Sequence, residues 1–488
     1  MHPIPIPSLA APLNIGAATP EIFLLVMIAA VMAVDLWSAP EKRGGRLVGW
    51  TVFTLAATAV LVLRQGWGPT VAFNGMYVVD GMAAVLKAAV AVTLIFVVVY
   101  SRAYLAARNL LNGEFFTLML FAALGMFVMI SANHFVTLYL GLEIMSLASY
   151  AMVALQRDSA RATEAAMKYF ILGALASGLL LYGMSMVYGA TGSLDVHTIA
   201  GIVGSSHAND SLLTFGIVFV VAGLAFKLGA VPFHMWLPDV YHGAATPVTL
   251  FIGSAPELAA FGFVMRILAD SLGAMVADWQ GMLVILAVLS IALGNVVAIA
   301  QTNLKRMLAY STISHMGFFL LGIVAGGGEG YSASMFYVLA YVLMTLGSFG
   351  IMLLLSRAGF EAENLEDLKG LNRRSPWYAF LMLIVMFSLA GIPPTVGFFA
   401  KLAVLSAALD AGYLWVVVFA LLMSVIGAFY YLRIVRLMYM DEPTDTSPIV
   451  AGMDVKALLS INAFAVLALG LLPGGLLEVC RRAIAVSF

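Results

Sequence analysis

Cysteine is almost absent. Cys480 is the only one in 488 residues, so no internal disulfide can form, and neither cysteine-held iron–sulfur clusters nor a Cys-rich zinc site fit this chain. Any redox centre must therefore belong to a partner. Charge is nearly as scarce, at 10% of residues against about a quarter in soluble domains. The formal net charge is −1, without the basic footprint that a nucleic-acid binder needs. The N-terminal segment lacks the basic start and small-residue cleavage site of a secretory signal, so the first apolar run is expected to stay as a span. No long polar stretch marks a soluble domain.

What is abundant is hydrophobic sequence, 63% of residues. An apolar run of about 20 residues crosses roughly 30 Å of hydrocarbon as a helix. Such runs fall near residues 21–37, 47–63, 78–104, 115–131, 135–155, 165–188, 212–239, 245–268, 280–300, 304–325, 332–355, 377–409, 414–438 and 457–479. The expectation is an all-α integral membrane protein of about 14 transmembrane helices. Alternate connections carry Lys42, Arg43, Arg46, Arg102, Arg108, Arg157, Arg161, Lys305, Arg306, Arg357, Lys369, Arg373, Arg374, Arg433, Arg436 and Lys456, while the opposite ones carry almost none. The positive-inside rule makes the first set cytoplasmic and turns both termini outward. The charged connection 357–376 is a candidate partner-facing surface or a plain solvated loop.

Against this background a few residues stand out. Residues 215–266 are apolar enough for a bilayer yet hold Lys227, His234, Asp239, His242 and Glu257 among Pro232, Pro238, Pro247 and Pro256. An ionisable group inside a span costs several kcal/mol and points to function. At about 1.5 Å per residue, Glu143, Lys227, Glu257 and Lys401 fall at about one depth. An ion pair of Glu143 with Lys227 accounts for two of them and leaves the other two. Proline lacks an N–H and clashes with the preceding turn. Pro232 is thus expected to open its helix one turn after Lys227, with His234 on the same face, and Pro393 and Pro394 to open the helix of Lys401. Freed backbone groups at that depth need protein or a wet cavity. Two broken helices in different halves, each with a lysine, suggest repeated transport units; ordinary proline kinks are the plainer reading.

Other signals are weaker. Glu164 and Lys168 are spaced for a surface pair, which competes with a relay role for Lys168. Lys305 sits near a boundary and can snorkel. His315 lies deeper, where an imidazole can pass a proton or simply be hydrogen-bonded in the core. Asp35, Asp80 and Lys87 fall outside the pattern, and nothing in the sequence accounts for Lys87.

The stretches LYLGLEIMSLASYAMVAL, EAAMKYFILGALASGLLLYGMSMVYGATG, FKLGAVPFHMWLPDVYHGAATPVT, QTNLKRMLAYSTISHMGF and LAGIPPTVGFFAKL resemble the antiporter-like membrane subunits of respiratory complex I, the NADH:quinone oxidoreductase. The resemblance implies fourteen helices with two inverted five-helix repeats and broken helices 7 and 12. It divides the chain into an N-terminal three-helix segment (1–110), a first repeat (111–272), a second repeat (273–440) and a C-terminal helix (441–488). It implies a proton-translocating subunit of a bacterial inner (plasma) membrane. Quinone reduction in neighbouring subunits would be coupled to pumping through buried Lys, Glu and His residues.

By motif match Glu143 and Lys227 are the ion pair of the first half-channel and Lys168 its neighbour; Lys305 and His315 are the connecting relay, and Lys401 is the lysine of the second half. No cofactor is expected in this chain; FMN, iron–sulfur clusters and quinone are expected in partner subunits. The expected partners are the other membrane-arm subunits and the lipid bilayer, with no nucleic acid. One departure stands out: SAPELAAF carries Glu257 where the family usually has lysine. This leaves two alternatives, a subunit of a multi-subunit cation/proton antiporter and a pumping-inactive structural subunit.

Overall fold

A computed structural model describes residues 13–205 and 210–488. The chain runs through α1 (Thr19–Trp37), α2 (Pro40–Arg64), a two-stranded antiparallel hairpin of β1 (Thr70–Ala72) and β2 (Tyr77–Val79), α3 (Gly81–Ala107), α4 (Gly113–Ile130), α5 (Phe135–Val153) and α6 (Ala160–Thr191). There follow α7 (Val196–Gly204), α8 (Asp210–Lys227), α9 (Trp236–Gly243), α10 (Thr246–Ile252), α11 (Ala255–Val264), α12 (Val276–Ala300), α13 (Leu304–Ala325) and α14 (Gly327–Leu355). The chain ends with α15 (Leu371–Arg374), α16 (Pro376–Ala390), α17 (Val396–Asp410), α18 (Leu414–Met440), α19 (Met453–Leu471) and α20 (Pro473–Ser487). Among the described residues twelve helical segments are long and apolar enough to cross a membrane. Two shorter apolar helices, Ser211–Lys227 and Pro376–Ala390, are each followed by a second short helix, α9 and α17.

Several local outcomes differ from the sequence reading. α8 ends at Lys227 itself rather than a turn later, because Gly229 takes a left-handed conformation (φ 62°) and Ala230 N–H bonds back to Ala225 O at 2.8 Å. α16 ends in the same way at Gly391 (φ 85°). Glycine at a helix C-terminus accepts the left-handed turn that L side chains resist, and proline follows because it cannot continue the helix. Pro232, Pro393 and Pro394 therefore lie beyond the breaks and do not make them. The run 245–268 is also irregular, passing from α10 to α11 and then into a π-helical turn, Met265–Ser271. Residues 441–488 hold two helices, α19 and α20, with Pro473 opening the second.

Helices pack where side chains are small. A Cβ on Gly141 of α5 would lie 2.6 Å from Met129 N of α4, and one on Gly294 of α12 would lie 2.6 Å from Ser314 N of α13. The hairpins α4–α5 and α12–α13 are therefore both closed by glycine. α13 is buried along nearly all of its length.

Charged loops mark one end of the bundle. Arg157 pairs with Glu114 at 2.9 Å, Arg108 with Glu361 at 2.7 Å and Arg161 with Glu363 at 3.0 Å. The polar linker after α18 is clamped to this basic face by Asp445, which lies 2.7 Å from Arg357 and 3.1 Å from Arg374. Hydrogen bonds from Arg357 and from Ser447 hold the Asp445 carboxyl well below the usual carboxylate range. The stretch 361–363 thus folds against its own chain, so its carboxylates are not a free partner-facing surface.

At the opposite end the structure accounts for Lys87. Its Nζ lies 2.5 Å from Glu21 Oε1 and 2.8 Å from the Tyr77 hydroxyl, with both charges buried. Nearby, Arg266 reaches Asp80 at 2.6 Å, Asp270 at 3.1 Å and the Ile130 carbonyl at 3.2 Å. Breaking a buried pair by removing one partner costs about 3–5 kcal/mol, because the other charge is left uncompensated. Lys87→Met is expected to lower the thermal midpoint of the purified chain in detergent, and Lys87→Met with Glu21→Gln to recover most of that loss. A double variant as unstable as the single one would disprove the pairing argument.

Candidate functional site

The two helix breaks and the buried α13 between them gather most of the ionisable residues singled out from sequence. At the first break, Lys227 closes α8 and lines a small cavity with Glu143, Ser146, Tyr150, Tyr169, Ser177 and Trp236. Its volume, about 20 Å³, suits roughly one water. Glu143 accepts a hydrogen bond from Ser177, which is itself 3.1 Å from the Tyr139 hydroxyl. Trp236 stacks on Tyr169 with ring centroids 4.6 Å apart and donates to the Phe226 carbonyl at 2.9 Å, which ties α9 to the end of α8.

Glu143 and Lys227 share the cavity without a direct salt bridge among the described residues. Lys227 forms no salt bridge with Glu257 either among the described residues; burial dominates the electrostatics of both groups, and their charges act on each other at longer range. Glu257 sits in the first turn of α11, 4% exposed, and its Oε2 has no hydrogen-bond partner. Tyr169, Tyr241 and Tyr341 all feel its charge. The Tyr241 hydroxyl is buried beside those of Thr312 and Tyr341. Unpaired polar atoms this deep are places where water binds.

From there a polar chain runs through the centre. The Tyr341 hydroxyl is 2.7 Å from Thr312 Oγ1. One turn along α13, His315 Nδ1 is 2.7 Å from the Tyr337 hydroxyl and Nε2 is 3.1 Å from the Tyr431 hydroxyl, which also meets Ser311. Phe318, three residues further along α13, lies under the Lys401 ammonium.

Lys401 lies on α17 and reaches back to the end of α16. Its Nζ donates to Ala390 O at 3.0 Å, Leu389 O at 3.3 Å and Ser424 Oγ at 3.0 Å, and lies 5.1 Å from the Phe318 ring centroid. Lys227 thus ends one interrupted helix, and the Lys401 ammonium caps the carbonyls that end the other; in both places the helix dipole favours a cation. Gly391 is required here twice over. Its φ is positive, and a Cβ would lie 2.9 Å from Lys401 Cδ.

The remaining candidates lie elsewhere. Lys168 is partly exposed and pairs with Glu164 at 2.7 Å, as its spacing suggested, but also with Asp239 at 2.8 Å. Asp239 in turn meets Arg306 at 2.8 Å. Lys305 does not snorkel: it is 2% exposed and donates to Ala244 O at 2.6 Å, just past α9. His234 does not share a helical face with Lys227, since the helix ends at Lys227; it lies half-buried in the following turn with Nδ1 unpartnered. Lys401 and Pro394 are likewise on no common face, because α17 starts at Val396.

Tyr241, Tyr337, Tyr341, Tyr431 and Thr312 were not legible as site residues. A tyrosine in an apolar helix reads as packing, and its hydroxyl is informative only once its partner is known. Among the described residues, no three His, Cys, Asp or Glu side chains converge as a metal site requires.

Residues 132–427 match the family model described as NADH:quinone oxidoreductase/Mrp antiporter, TM. NADH-quinone oxidoreductase subunit N of Thiobacillus denitrificans is 61% identical over 477 residues, covering 98% of this chain and 99% of that protein. The Nitrosomonas europaea protein of the same name is 60% identical, covering 96% and 97%. Among solved structures, a chain of respiratory complex I from Thermus thermophilus with bound Aureothin superposes with a TM-score of 0.81 at 33% identity, covering 94% of this chain and 99% of that one. A chain of the Mrp complex from Dietzia sp. shares the fold, with a TM-score of 0.82 at 22% identity. The chain belongs to the NADH:quinone oxidoreductase/Mrp antiporter transmembrane family, with respiratory subunits among its relatives.

Proposed function

We propose that the chain is a proton-translocating membrane-arm subunit of a bacterial NADH-quinone oxidoreductase. In this reading it couples quinone reduction in neighbouring subunits to proton movement through its buried Lys, Glu and His residues. The observation that carries the reading is the buried polar cluster of Thr312, His315, Tyr337, Tyr341 and Tyr431 about α13, together with the two interrupted helices at whose ends Lys227 and Lys401 are held. Length and identity shared with relatives named NADH-quinone oxidoreductase subunit N favour the respiratory assembly over a cation/proton antiporter. FMN, iron–sulfur clusters and quinone belong to the partner subunits. The basic face lies in the cytoplasm and the termini outside, in keeping with the lysine and arginine distribution. Residues 111–272 and 273–440 form two inverted units, each with one broken helix, flanked by 1–110 and 441–488.

The roles follow from electrostatics. An incoming charge change from the neighbouring subunits acts on Glu143, which shares a water-sized cavity with Lys227. A carboxylate held near the lysine keeps its proton in place, and withdrawal of that charge frees the proton. Glu257 is the acceptor that Lys227 already feels. The imidazole of His315, bonded to tyrosine hydroxyls at both nitrogens, can take a proton on one side and release it on the other. Lys401 holds the far end. Lys168, with Asp239, and Lys305 connect the chain to the basic face, and His234 lies beside the first break.

Two variants test this. In the assembled complex, Lys227→Ala is expected to lower the proton-to-electron ratio, read as proton uptake by inverted membrane vesicles per NADH oxidised. An unchanged ratio with unchanged quinone reduction would sink the reading. His315→Phe keeps the ring volume and removes both nitrogens. It is expected to slow proton pumping by at least about tenfold, the lower range of a positioned acid–base group being about a hundredfold. Normal pumping in that variant would remove His315 from the path.

A further inference from the structure

The basic face carries a feature that the midplane residues do not explain. A polar cavity of about 640 Å³ opens there, with Arg108, Asn112, Arg157, Arg161 and Glu361 among its lining residues. Glu361 keeps 29% of its side chain exposed and Arg161 49%, so water in this open space reaches both.

The inner wall comes from the stretch between α14 and α15. Its backbone is strapped to the start of α13, with Leu304 N bonded to Glu363 O at 2.6 Å and Leu365 N to Thr302 O at 3.0 Å. Glu361 Oε1 accepts from Tyr104 at 2.6 Å and from Arg108 Nε at 2.8 Å. Glu363 accepts from both terminal nitrogens of Arg161, at 3.0 and 3.4 Å, and its Oε2 is 4.0 Å from Lys305 Nζ. Behind Lys305 lies the Ala244 carbonyl, at the end of the short half of the first broken rod.

We propose that Glu361 and Glu363 form a proton-uptake port, collecting protons from water in this cavity and handing them to Lys305. The port rests on the reading of the chain as a proton translocator. In the hand-over the O–H bond of a protonated Glu363 breaks and an N–H bond forms on neutral Lys305, leaving carboxylate and ammonium; no electrons change hands. Lys305 is neutral again once its proton moves inward, and Glu363 is reloaded from the water of the cavity that Glu361 and its own partner Arg161 line. Arg108 and Arg161 orient the two carboxylates.

The test uses the assembled complex in membrane vesicles, with assembly checked by native electrophoresis and with Lys227→Ala measured in parallel. A collecting port matters most when protons are scarce. In the double variant E361Q/E363Q, proton pumping is expected to fall by about fivefold or more at about pH 8.5 and by less than about twofold at about pH 6.5, a lost acid–base group costing most where its proton is least available. Glu363→Asp, which keeps the carboxyl, should restore the alkaline rate. A loss equal at both pH values, with or without poor assembly, would mean that the glutamates only lock the loop to Arg108 and Arg161, and no loss at all would remove them from the path; either result overturns the port. If E361Q/E363Q does not assemble, the single variants Glu361→Gln and Glu363→Gln are judged by the same comparison. Unchanged pumping in Lys227→Ala would instead strike the translocator reading beneath it.

Discussion

A charge placed in hydrocarbon needs partners that the protein must supply, and here the two lysines are placed at helix ends made inside the bundle. Stopping α16 at Ala390 leaves Leu389 O and Ala390 O for a cation, while at the end of α8 the carbonyls of Leu224, Ala225 and Phe226 are taken up by Leu228, Ala230 and Trp236. The two α16 carbonyls point their negative ends at the break. Lys401 uses them directly, donating to Ala390 and Leu389, while Lys227 sits at the terminus and faces the cavity that holds Glu143. The glycines that end the helices, the Trp236 stack that ties α9 to α8 and the glycine-closed hairpins around them all serve to hold these two termini in place. A lysine in an unbroken helix would lack that support.

Much of this was written locally in the chain. Hydropathy and the spacing of charges showed the spans, and a lysine beside proline and glycine showed where the rods are interrupted. The residue that stops each helix is masked in the sequence, because the proline is the louder signal and the glycine two or three residues before it is the one that takes the left-handed turn. Pairings across the fold were less accessible. Lys168 carries a visible partner at Glu164 and an invisible one at Asp239, 71 residues away. The partner of Lys87 is Glu21, 66 residues earlier. The tyrosine hydroxyls around His315 come from α14 and α18, and only the packing of these helices against α13 gives them meaning.

Glu257 is where the structure adds most. The resemblance implies lysine at this position, so that two cations would face each other. With glutamate, Lys227 and Glu257 form a pair of opposite formal charge in a buried space, and each is the charge the other feels. A proton moving from ammonium to carboxylate leaves lysine and glutamic acid both neutral, so the hand-over creates no net buried charge. That is a favourable property where isolated charges are costly. Glu257 Oε2 has no hydrogen-bond partner among the described residues, which leaves it open to a water or to an arriving proton.

The most direct test of this account is the proton-to-electron ratio of the assembled complex carrying Glu257→Gln, which keeps the side-chain shape and removes the exchangeable acid. The account predicts a ratio below that of the parent, with assembly intact. A ratio equal to the parent's would contradict the claim that Glu257 receives the proton of Lys227.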